Sequence, residues 1–534
     1  MDFKNAKDIF IKHNNKYLKF KKIKNTKKKI LIEFSRWSSL HVSSSYLLKV
    51  LQTKFNANIV TYLGNLNLTR PIKMSLFDKI KWFFGSFFSI RYFGVFKSIG
   101  ASEFLWPDLK SIKNSKTEKI YQKIYSKIKS KRDLENLKIY NIWIGDLIYD
   151  SYLKYYNEET VDILSLKFRN YLKDQICLFL FWFEYINQNQ VKAFIISHSV
   201  YLFALPARIA IKKKINVYVC HGEYLYSLDK SNLFIRANFL KAKATLKKMD
   251  KKILKIGLKK AKNRIESRLK GKRGYDLWWA KKSSFGIINQ RRVLSKSNKF
   301  KFLIANHSFI DSPHVYGKNL FPDFFEWLTF IGNISLNTDH EWYLKTHPYT
   351  HEKEGTFTKD VIKKFLKKYP KIKLIPSTVT HNQLVKEGIN CVLTVLGSVG
   401  FEYAYMNVPV INASKRNPHI NFDFNIHAKS LSDYKNLLIN PKQIKLKIKK
   451  NEVLKYYFLM HIFYTRNWFF DNYEKMQKEV KNQYDPEVYK YWIKNEFSIL
   501  KHEEVLSAIS KFIESSDYRL TYKHLNKSFF DENF

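Results

Sequence analysis

The sequence has little cysteine and glycine, and it lacks an apolar run long enough to cross a bilayer. Its 534 residues include 3 Cys, 16 Gly and 12 Pro. The odd number and wide spacing of the cysteines exclude a disulfide framework or a cysteine zinc site, so a reducing cytosol is expected. The N-terminus shows no secretory signal. The most apolar stretches, 80–96 and 175–186, contain charges or fall short of the roughly 20 residues of a spanning helix. We therefore expect a cytoplasmic protein, with peripheral contact at the inner membrane face left open.

Arginine is also scarce for so basic a chain. The sequence has 95 Lys and Arg against 46 Asp and Glu, a formal net charge of +49, and only 15 of the basic residues are Arg. Proteins that read phosphates and bases rely on the bidentate guanidinium of Arg. We interpret most of the charge as lysine on solvated faces and expect no nucleic-acid partner. The rival hypothesis is a non-enzymatic basic protein that binds RNA or a membrane.

The remaining composition supports folded domains. Hydrophobic residues make up 45% and aromatic residues 16% of the chain, which excludes global disorder. A strand over 30–34, a polar turn containing Ser35, a helix and a strand over 57–62 form one βαβ unit. A second βαβ unit is predicted over 191–227, after a mostly helical segment at about 100–190. The lysine-rich segment 232–273 is interpreted as an amphipathic helix over a core, or as a basic face for anionic lipid.

Polar side chains follow both strands of the second βαβ unit. His198 comes after the first strand, and His221 and Glu223 come after the second. Ligands of open α/β sheets bind outside the carboxyl ends of the strands. These three residues are therefore candidate site residues of the N-terminal half.

Strands and helices alternate with short connections in the C-terminal half. Strands are predicted over 300–305, 341–348, 371–378, 389–398 and 408–414, with helices between them. This alternation predicts an α/β fold with a parallel, doubly wound sheet. We predict domains over 1–295 and 296–440, followed by helices over 441–534.

Several loops at these strand ends carry candidate binding residues. The first contains His307, Asp311, Ser312 and His314, and a loop at 412–419 is also polar. Another is Gly397-Ser398-Val399-Gly400, which opens a helix containing Glu402. A turn of small residues lets the backbone approach a phosphate at a helix N-terminus, where Ser398 adds a hydroxyl. Glu402 lies one turn later, where a carboxylate can accept hydrogen bonds from ribose hydroxyls.

The remaining loop is Lys345-Thr346-His347-Pro348. Pro348 fixes the chain after the strand, so that His347 beside Lys345 can stabilise a leaving phosphate. No metal or other cofactor is expected if these groups carry the charge. The alternative, a divalent ion held by His307, Asp311 and His314, is less favoured than loop residues that line a ligand cleft.

KTHP (345–348) and VLTVLGSVGFEYAYMNVPVIN (392–412) together resemble the nucleotide-binding half of GT-B glycosyltransferases. More narrowly, they resemble bacterial capsule and surface-polysaccharide biosynthesis proteins, including Kdo-transferase and sialyltransferase-like groups. The resemblance implies a GT-B-like fold of two Rossmann-like domains, with a parallel sheet each and extra helical segments. It implies that the C-terminal domain holds the donor and that the last helices pack on the N-terminal domain. His347 and Ser398 would contact the donor phosphate, and Glu402 the ribose.

The resemblance leaves the donor, the acceptor and the catalytic base open. It favours a CMP-linked acidic sugar such as Kdo or a nonulosonic acid, transferred to a surface-polysaccharide or lipid-linked saccharide. A CDP-polyol transferase and a UDP-sugar epimerase are alternatives. The epimerase is disfavoured because L-G-S-V-G-F-E replaces the D-S-G-G-x-x-E-E run of those enzymes. No acidic base motif is evident, so Glu223, His198, His221 and Asp311 remain candidates.

Overall fold

The computed structural model describes residues 3–64, 75–112, 114–235, 237–271, 291–346, 356–480 and 482–533. The chain divides into two compact α/β units. The first unit comprises Met1–Ser151, Ile163–Ile235 and Thr465–Phe534, and the second comprises Tyr152–Asp162 and Arg236–Tyr464. The boundaries predicted from the sequence, between residues 295 and 296 and between residues 440 and 441, differ from those of these two units. The lysine-rich helix before 271 belongs to the second unit because it packs on a helix over 450–461 of that unit.

The helices of the described residues alternate with strands in the middle of each unit and cluster at the C-terminus. In chain order they are α1 Phe3–Tyr17, α2 Ser38–Phe55, α3 Leu76–Phe87, α4 Tyr92–Ser98, α5 Leu109–Ile112, α6 Ser115–Tyr125, α7 Lys131–Glu135, α8 Gly145–Tyr156, α9 Leu166–Gln188, α10 Leu205–Lys212, α11 Ala242–Lys247, α12 Lys251–Leu269, α13 Phe324–Leu336, α14 Phe357–Lys368, α15 His381–Lys386, α16 Val399–Tyr405, α17 Leu431–Ile439, α18 Lys450–His461, α19 Tyr473–Val480, α20 Glu487–Tyr491, α21 Ile499–Glu514 and α22 Phe529–Asn533. Within the first unit, α21 packs on α2.

The first unit contains a six-stranded sheet of order β3-β2-β1-β6-β7-β8. Its strands are β1 Lys28–Phe34, β2 Asn58–Leu63, β3 Ala101–Leu105, β6 Gln190–Ile196, β7 Asn216–Cys220 and β8 Leu225–Leu228. A small hairpin joins β4 Lys138–Ile139 to β5 Ile142–Trp143. The predicted α/β class is confirmed. The parallel arrangement holds except at the edge, where β8 runs antiparallel to β7 because only four residues connect them, too few for a parallel crossover.

The second unit contains a parallel sheet of order β11-β10-β9-β12-β13-β14. Its strands are β9 Lys301–Ala305, β10 Glu341–Lys345, β11 Ile372–Ile375, β12 Cys391–Thr394, β13 Val410–Asn412 and β14 Ile426–His427. Successive residues enter opposite cores: Phe302 and Ile304 pack with Trp342 in one core, and Leu303 packs with Tyr343 in the other. Helices cover both faces, so the strand sequences read as continuous apolar runs.

Each sheet reverses its strand order around its first strand. In the first unit β1 lies between β2 and β6, and in the second unit β9 lies between β10 and β12. The loops after β1 and β6, and after β9 and β12, therefore diverge at their carboxyl ends and leave a crevice. In open α/β sheets such a switch point is where ligands bind. Across the described ranges, no helix is both long and apolar enough to cross a membrane.

Candidate functional site

A cluster of charged side chains lies at the carboxyl edge of the second unit's sheet. Lys345, the last residue of β10, is buried, and its Nζ donates a hydrogen bond to the carbonyl oxygen of Val379 at 2.6 Å. Burial lowers the pKa of Lys345 to about 8, although the negative charge of Glu402 acts in the opposite direction. The ammonium therefore stays mostly protonated at neutral pH. His347 lies outside the described residues, so its role stays a prediction.

Glu402, in α16, is buried between two basic side chains. One carboxylate oxygen, Oε1, accepts a hydrogen bond from Nη2 of Arg268, and His381 Nδ1 lies 3.2 Å from Oε2. Burial alone would raise the pKa of Glu402, but the charge of Arg268 and the contact with His381 hold it well below its usual range. Burial also lowers the pKa of His381 to about 4. We call Arg268, Lys345, His381 and Glu402 the Glu402 cluster.

The Glu402 cluster carries a surplus of positive charge. At neutral pH it contains two cations, Arg268 and Lys345, one carboxylate, and a neutral histidine. A buried site with one uncompensated cation is complementary to a phosphate or another anion. The sequence predicted that Glu402 binds ribose, and in the structure its two oxygens face Arg268 and His381. The ribose contact therefore stays a prediction. In the structure, the carboxylate contacts Arg268 and so holds its guanidinium in position.

The Gly397–Gly400 turn is packed tightly against its neighbours. A Cβ at Gly400 would lie 2.4 Å from Cε1 of His419, so this position accepts no side chain. At Gly397 the nearest atom to such a Cβ is Oγ1 of Thr394, at 3.0 Å. Ser398 is exposed at the start of α16, and its hydroxyl lies 3.4 Å from Arg268 Nη2. Ser398 and the Glu402 cluster therefore share this strand end, and the predicted roles of Ser398 and Glu402 in binding stay predictions.

His307 connects two strand ends within the unit. Its Nε2 lies 3.0 Å from Thr394 Oγ1 and accepts a hydrogen bond from the backbone N–H of Val395 at 3.2 Å. The imidazole ring stacks on Phe324 with centroids 4.4 Å apart. These contacts fix the loop after β9 to the end of β12, where the strand order reverses. The imidazole of His307 thus connects the two loops within the second unit. A contact between His307 and a substrate stays a prediction.

The rest of that loop separates into exposed and buried side chains. Asp311 is exposed, whereas Ser312 and His314 are buried, and Ser312 has a positive φ of 26°. The described residues contain no group of three or more His, Cys, Asp or Glu side chains placed to hold a metal ion. The alternative of a divalent ion held by His307, Asp311 and His314 therefore finds no support in this loop.

Asn306 is a buried polar residue at the same edge of the sheet that the sequence pattern did not single out. It follows β9 directly, and its backbone N–H donates to the carbonyl oxygen of Lys345 at 3.0 Å. Its side chain is buried, yet neither Nδ2 nor Oδ1 has a hydrogen-bond partner. An unsatisfied buried amide costs about 1–3 kcal/mol, so such a group calls for an explanation. A ligand at the carboxyl edge would supply the missing partners.

A groove of about 610 Å³ opens beside Thr346, the residue that follows β10. Its walls come from the end of β11 and from α14. The lining side chains include Lys359, Lys363, Ser377 and Thr378. Apolar side chains form most of the lining, and two lysines and four hydroxyl groups are its polar part.

The first unit has its own polar cluster at the switch point between β1 and β6. Glu33 Oε2 accepts hydrogen bonds from the backbone N–H of Ser197 at 3.1 Å and from its hydroxyl at 2.7 Å. His198 Nδ1 lies 2.9 Å from the same hydroxyl oxygen, and His221 Nε2 lies 2.6 Å from the carbonyl oxygen of Ser197. The structure therefore brings together the predicted residues His198 and His221 around Ser197 and Glu33, neither of which was predicted.

Glu33 is protonated more readily than an ordinary glutamate. Burial raises the pKa of Glu33 to about 7, although the two hydrogen bonds from Ser197 act in the opposite direction. Gly64 allows the carboxyl group to occupy this position, since a Cβ at residue 64 would lie 2.3 Å from Glu33 Cγ. A carboxyl group that titrates near neutrality, at the carboxyl end of a central strand, is typical of acid–base chemistry.

The other two candidates of the first unit have different surroundings. The Ser35 hydroxyl lies 3.4 Å from His41 Nε2, and the backbone of Ser35 also contacts this buried histidine. Glu223 forms an ion pair with Arg466, with 3.0 Å between Nε and Oε1. Glu223 is therefore a charged partner of a C-terminal residue of the same unit.

Some of the missed residues had a signal in the sequence. Glu33 interrupts the apolar run of β1, and a charge inside a buried strand is unusual. Arg268 is an arginine in a segment whose other charges are mostly lysine. Asn306 and His381 gave no distinguishing signal, because a polar residue after a strand or at a helix start is common.

No protein-family model matches the chain, and no curated protein matches it. Several solved structures are similar to it. Thermosulfurimonas dismutans KpsC, a beta Kdo 2,4 transferase, is 13% identical with a TM-score of 0.32, over 50% of this chain and 79% of that chain. Neisseria meningitidis UDP-GlcNAc 2-epimerase bound to UDP-GlcNAc is 12% identical with a TM-score of 0.23, over 80% and 97%. The wall teichoic acid polymerase TagF is 13% identical with a TM-score of 0.21, over 93% and 95%. TM-scores this low support no conclusion about function, which depends here on this chain's own residues.

Proposed function

We propose that this chain is a glycosyltransferase that uses a nucleotide-activated sugar. The observation that carries the proposal is the Glu402 cluster, which places a surplus positive charge at the carboxyl edge of a parallel sheet, beside its switch point. Anionic nucleotides are the ligands that open α/β sheets most often bind at this place. The KTHP and Gly397–Gly400 sequences add the resemblance to nucleotide-sugar transferases.

In this proposal, the donor phosphate contacts Lys345, Arg268 and the Ser398 hydroxyl. Glu402 holds Arg268 in place, and His381 remains neutral behind it. Asn306 offers a donor and an acceptor, so that it can bind either the phosphate or a sugar hydroxyl. His347, two residues after Lys345, is proposed to hydrogen-bond the phosphate as it leaves. These cations neutralise the leaving group, and the proposal therefore requires no metal.

The reaction would be attack by an acceptor hydroxyl on the anomeric carbon of the donor sugar. The bond between the anomeric carbon and the phosphate oxygen breaks, and its electron pair leaves with the nucleotide. The hydroxyl proton passes to a base. The favoured donor is a CMP-linked acidic sugar, and the favoured acceptor is a surface-polysaccharide or lipid-linked saccharide.

Within the first unit, the contacts of Ser197 set the tautomer of His198. Ser197 donates its hydroxyl hydrogen to Glu33, so its oxygen can accept a hydrogen bond from His198 Nδ1. This arrangement favours the tautomer in which Nε2 carries a lone pair. Burial lowers the pKa of His198 to about 3, so the ring is neutral at physiological pH. With so low a pKa, His198 is a weak proton acceptor, whereas Glu33, whose pKa burial raises to about 7, can exchange a proton near neutral pH.

The proposal is tested by calorimetric titration of the purified chain with CMP, CDP and UDP. We expect micromolar binding of one nucleotide, weakened at least tenfold by Lys345→Met, since a charged hydrogen bond to phosphate is worth about 1.5–3 kcal/mol. Lys373→Met is the matched control, because this lysine is exposed on β11 of the same sheet. Failure of all three nucleotides to bind, together with tight salt-sensitive RNA binding, would contradict the proposal.

A second measurement separates transfer from epimerisation. The chain is incubated with UDP-GlcNAc and, separately, with a CMP-activated acidic sugar and a saccharide acceptor, and the products are followed by NMR. A new glycosidic linkage supports transfer. Conversion of UDP-GlcNAc to its 2-epimer without an acceptor would replace the transferase proposal by an epimerase.

A further inference from the structure

Helix α3 of the first unit exposes an aromatic face. Six large apolar side chains of α3 are exposed. Phe88, directly after the helix, and Ile90, in the following turn, extend this exposed patch. The exposed residues are Leu76, Phe77, Ile80, Phe83, Phe84, Phe87, Phe88 and Ile90. Four of these phenylalanine side chains are more than 60% exposed: Phe77 and Phe88 at 61%, Phe83 at 63% and Phe87 at 67%. Soluble proteins rarely leave so many neighbouring aromatic rings in water, so this face is suited to a partner.

The position of these residues on the helix is regular. At about 100° per residue, the apolar residues of positions 76 to 88 fall within an arc of roughly 140°. The opposite side of α3 anchors the helix: Trp82 packs on Phe34 and Phe93, and a Cβ at Gly85 would lie 2.5 Å from the Phe93 ring. The helix is therefore held by one narrow face and directs its aromatic face away from the unit to which it belongs.

Basic residues border the aromatic face. Lys79 and Lys81 flank the apolar arc on its two sides, and Lys81 Nζ lies 3.9 Å from the centre of the Phe77 ring. Arg91 and Lys97 follow in the next helix region and are exposed. Asp78 is the acidic residue of 75–98, and it is engaged in a capping box with Ser75. The patch thus combines apolar rings at its centre with cations at its border.

We infer that this face, α3 with residues 88–91, is a docking surface for an anionic lipid bilayer. Phenylalanine rings would enter the boundary between headgroups and acyl chains, while lysine ammonium and arginine guanidinium groups would contact lipid phosphates at the rim. A formal net charge of +49 over the chain adds long-range attraction to the same surface. A protein partner or a second copy of this chain would require shape complementarity, whereas the charge arrangement alone matches a lipid surface. This inference is independent of the nucleotide site.

The test is cosedimentation of the full chain with vesicles. We expect binding to vesicles of equal parts phosphatidylcholine and phosphatidylglycerol, and much weaker binding to phosphatidylcholine alone. Each buried Phe is worth about a factor of ten, so Phe83→Ser/Phe87→Ser should lose on the order of 100-fold in partitioning. Lys81→Glu should weaken binding to the anionic vesicles and leave binding to phosphatidylcholine nearly unchanged.

Leu164→Ser/Leu166→Ser is the matched control. These two leucines belong to the same unit and are 67% and 71% exposed, and they are not part of α3 or of residues 88–91. Circular dichroism melting verifies that both double variants remain folded. Equal loss in the control, or full binding of the Phe variant, would overturn the inference. So would a chain that forms a dimer through this face, detected as a sedimentation shift abolished by Phe83→Ser/Phe87→Ser, without any binding to vesicles.

Discussion

Ser197 places both its backbone N–H and its hydroxyl on a single oxygen, Oε2, of Glu33. The two donors reach that atom at 3.1 Å and 2.7 Å across the gap between the ends of β6 and β1. The carboxyl group is buried, so ionising it costs free energy that two hydrogen bonds only partly recover. Burial therefore raises the pKa of Glu33 to about 7, close to physiological pH, although both hydrogen bonds from Ser197 favour the charged form.

Stability should therefore respond to the ionisation of Glu33. Burial raises the pKa of Glu33 from 4.5 to about 7, so the unfolded chain releases this proton at a lower pH than the folded chain does. The contribution of Glu33 is most favourable below pH 4.5 and is lost as the pH rises to about 7, by about 3 kcal/mol. Thermal unfolding of wild type and Glu33→Gln between pH 4 and pH 8 measures this difference.

The exposed Glu514→Gln variant is the control for that experiment. The difference in melting temperature between wild type and Glu33→Gln should shrink toward low pH and grow in favour of the variant toward high pH. A constant difference across the range would show that Glu33 does not titrate there. Glu514→Gln should follow wild type throughout.

The pairing of Arg268 with Glu402 gives a second prediction. Removing Arg268 as Arg268→Met leaves the Glu402 carboxylate buried without its main cation, which should cost about 3–5 kcal/mol in unfolding free energy. Arg268→Met/Glu402→Gln should recover most of this loss, since the buried carboxylate is neutralised together with the loss of its main cation. Nucleotide affinity should stay low in the double variant, because the cation for the phosphate is still missing.

Chemical denaturation and calorimetry on the same samples separate these two effects. The exposed pair Lys449 and Asp423 of the same unit is the control, and Lys449→Met/Asp423→Asn should change neither stability nor affinity appreciably. Recovery of nucleotide binding in Arg268→Met/Glu402→Gln would exclude Arg268 from the phosphate site.

The affinity for the nucleotide should fall at alkaline pH. Burial lowers the pKa of Lys345 to about 8, so the ammonium loses its proton and its charge as the pH rises through that value. We expect about a tenfold decrease in affinity between pH 7 and pH 9, measured by calorimetry. Lys345→Arg should remove this dependence, because a guanidinium remains charged over the range. An unchanged alkaline decrease in Lys345→Arg would assign it to another group.

Asn306 should separate stability from binding. In Asn306→Leu the two unpartnered amide atoms disappear, so the unfolding free energy should stay the same or rise, by up to about 2 kcal/mol. Nucleotide affinity should nevertheless fall about tenfold if the amide binds the ligand. Both quantities are measured on one preparation, by denaturation and calorimetry.

Asn417→Leu is the contrasting variant for that prediction. Asn417 is equally buried, but its Oδ1 accepts a hydrogen bond from the backbone N–H of His419 at 2.8 Å. Its replacement should lower the unfolding free energy by about 1–3 kcal/mol. Unaltered binding in Asn306→Leu would leave the unpartnered amide without a role in the site.

Much of the second unit could be predicted from local pattern. The apolar runs that form β9, β10 and β12 are short, bounded by polar loops and separated by helical periodicity, which predicts a parallel, doubly wound sheet. The sequence could not predict the boundary between the units, because α12 looks like any lysine-rich amphipathic helix. Its membership of the second unit depends on Gly257, which leaves room for the ring of Phe458.

The sequence by itself determined the α/β class, the strand ends at which polar residues collect, and the scarcity of arginine that sets Arg268 apart. Those properties follow from periodicity and composition, which act over a few residues. Only the tertiary structure decided that Arg268 reaches Glu402 across 134 residues and that Ser197 reaches Glu33 across 164. The physical reason is that a pKa and a charge pairing depend on burial and on neighbours in space. Residues far apart in the chain become such neighbours only when the sheets and helices pack together.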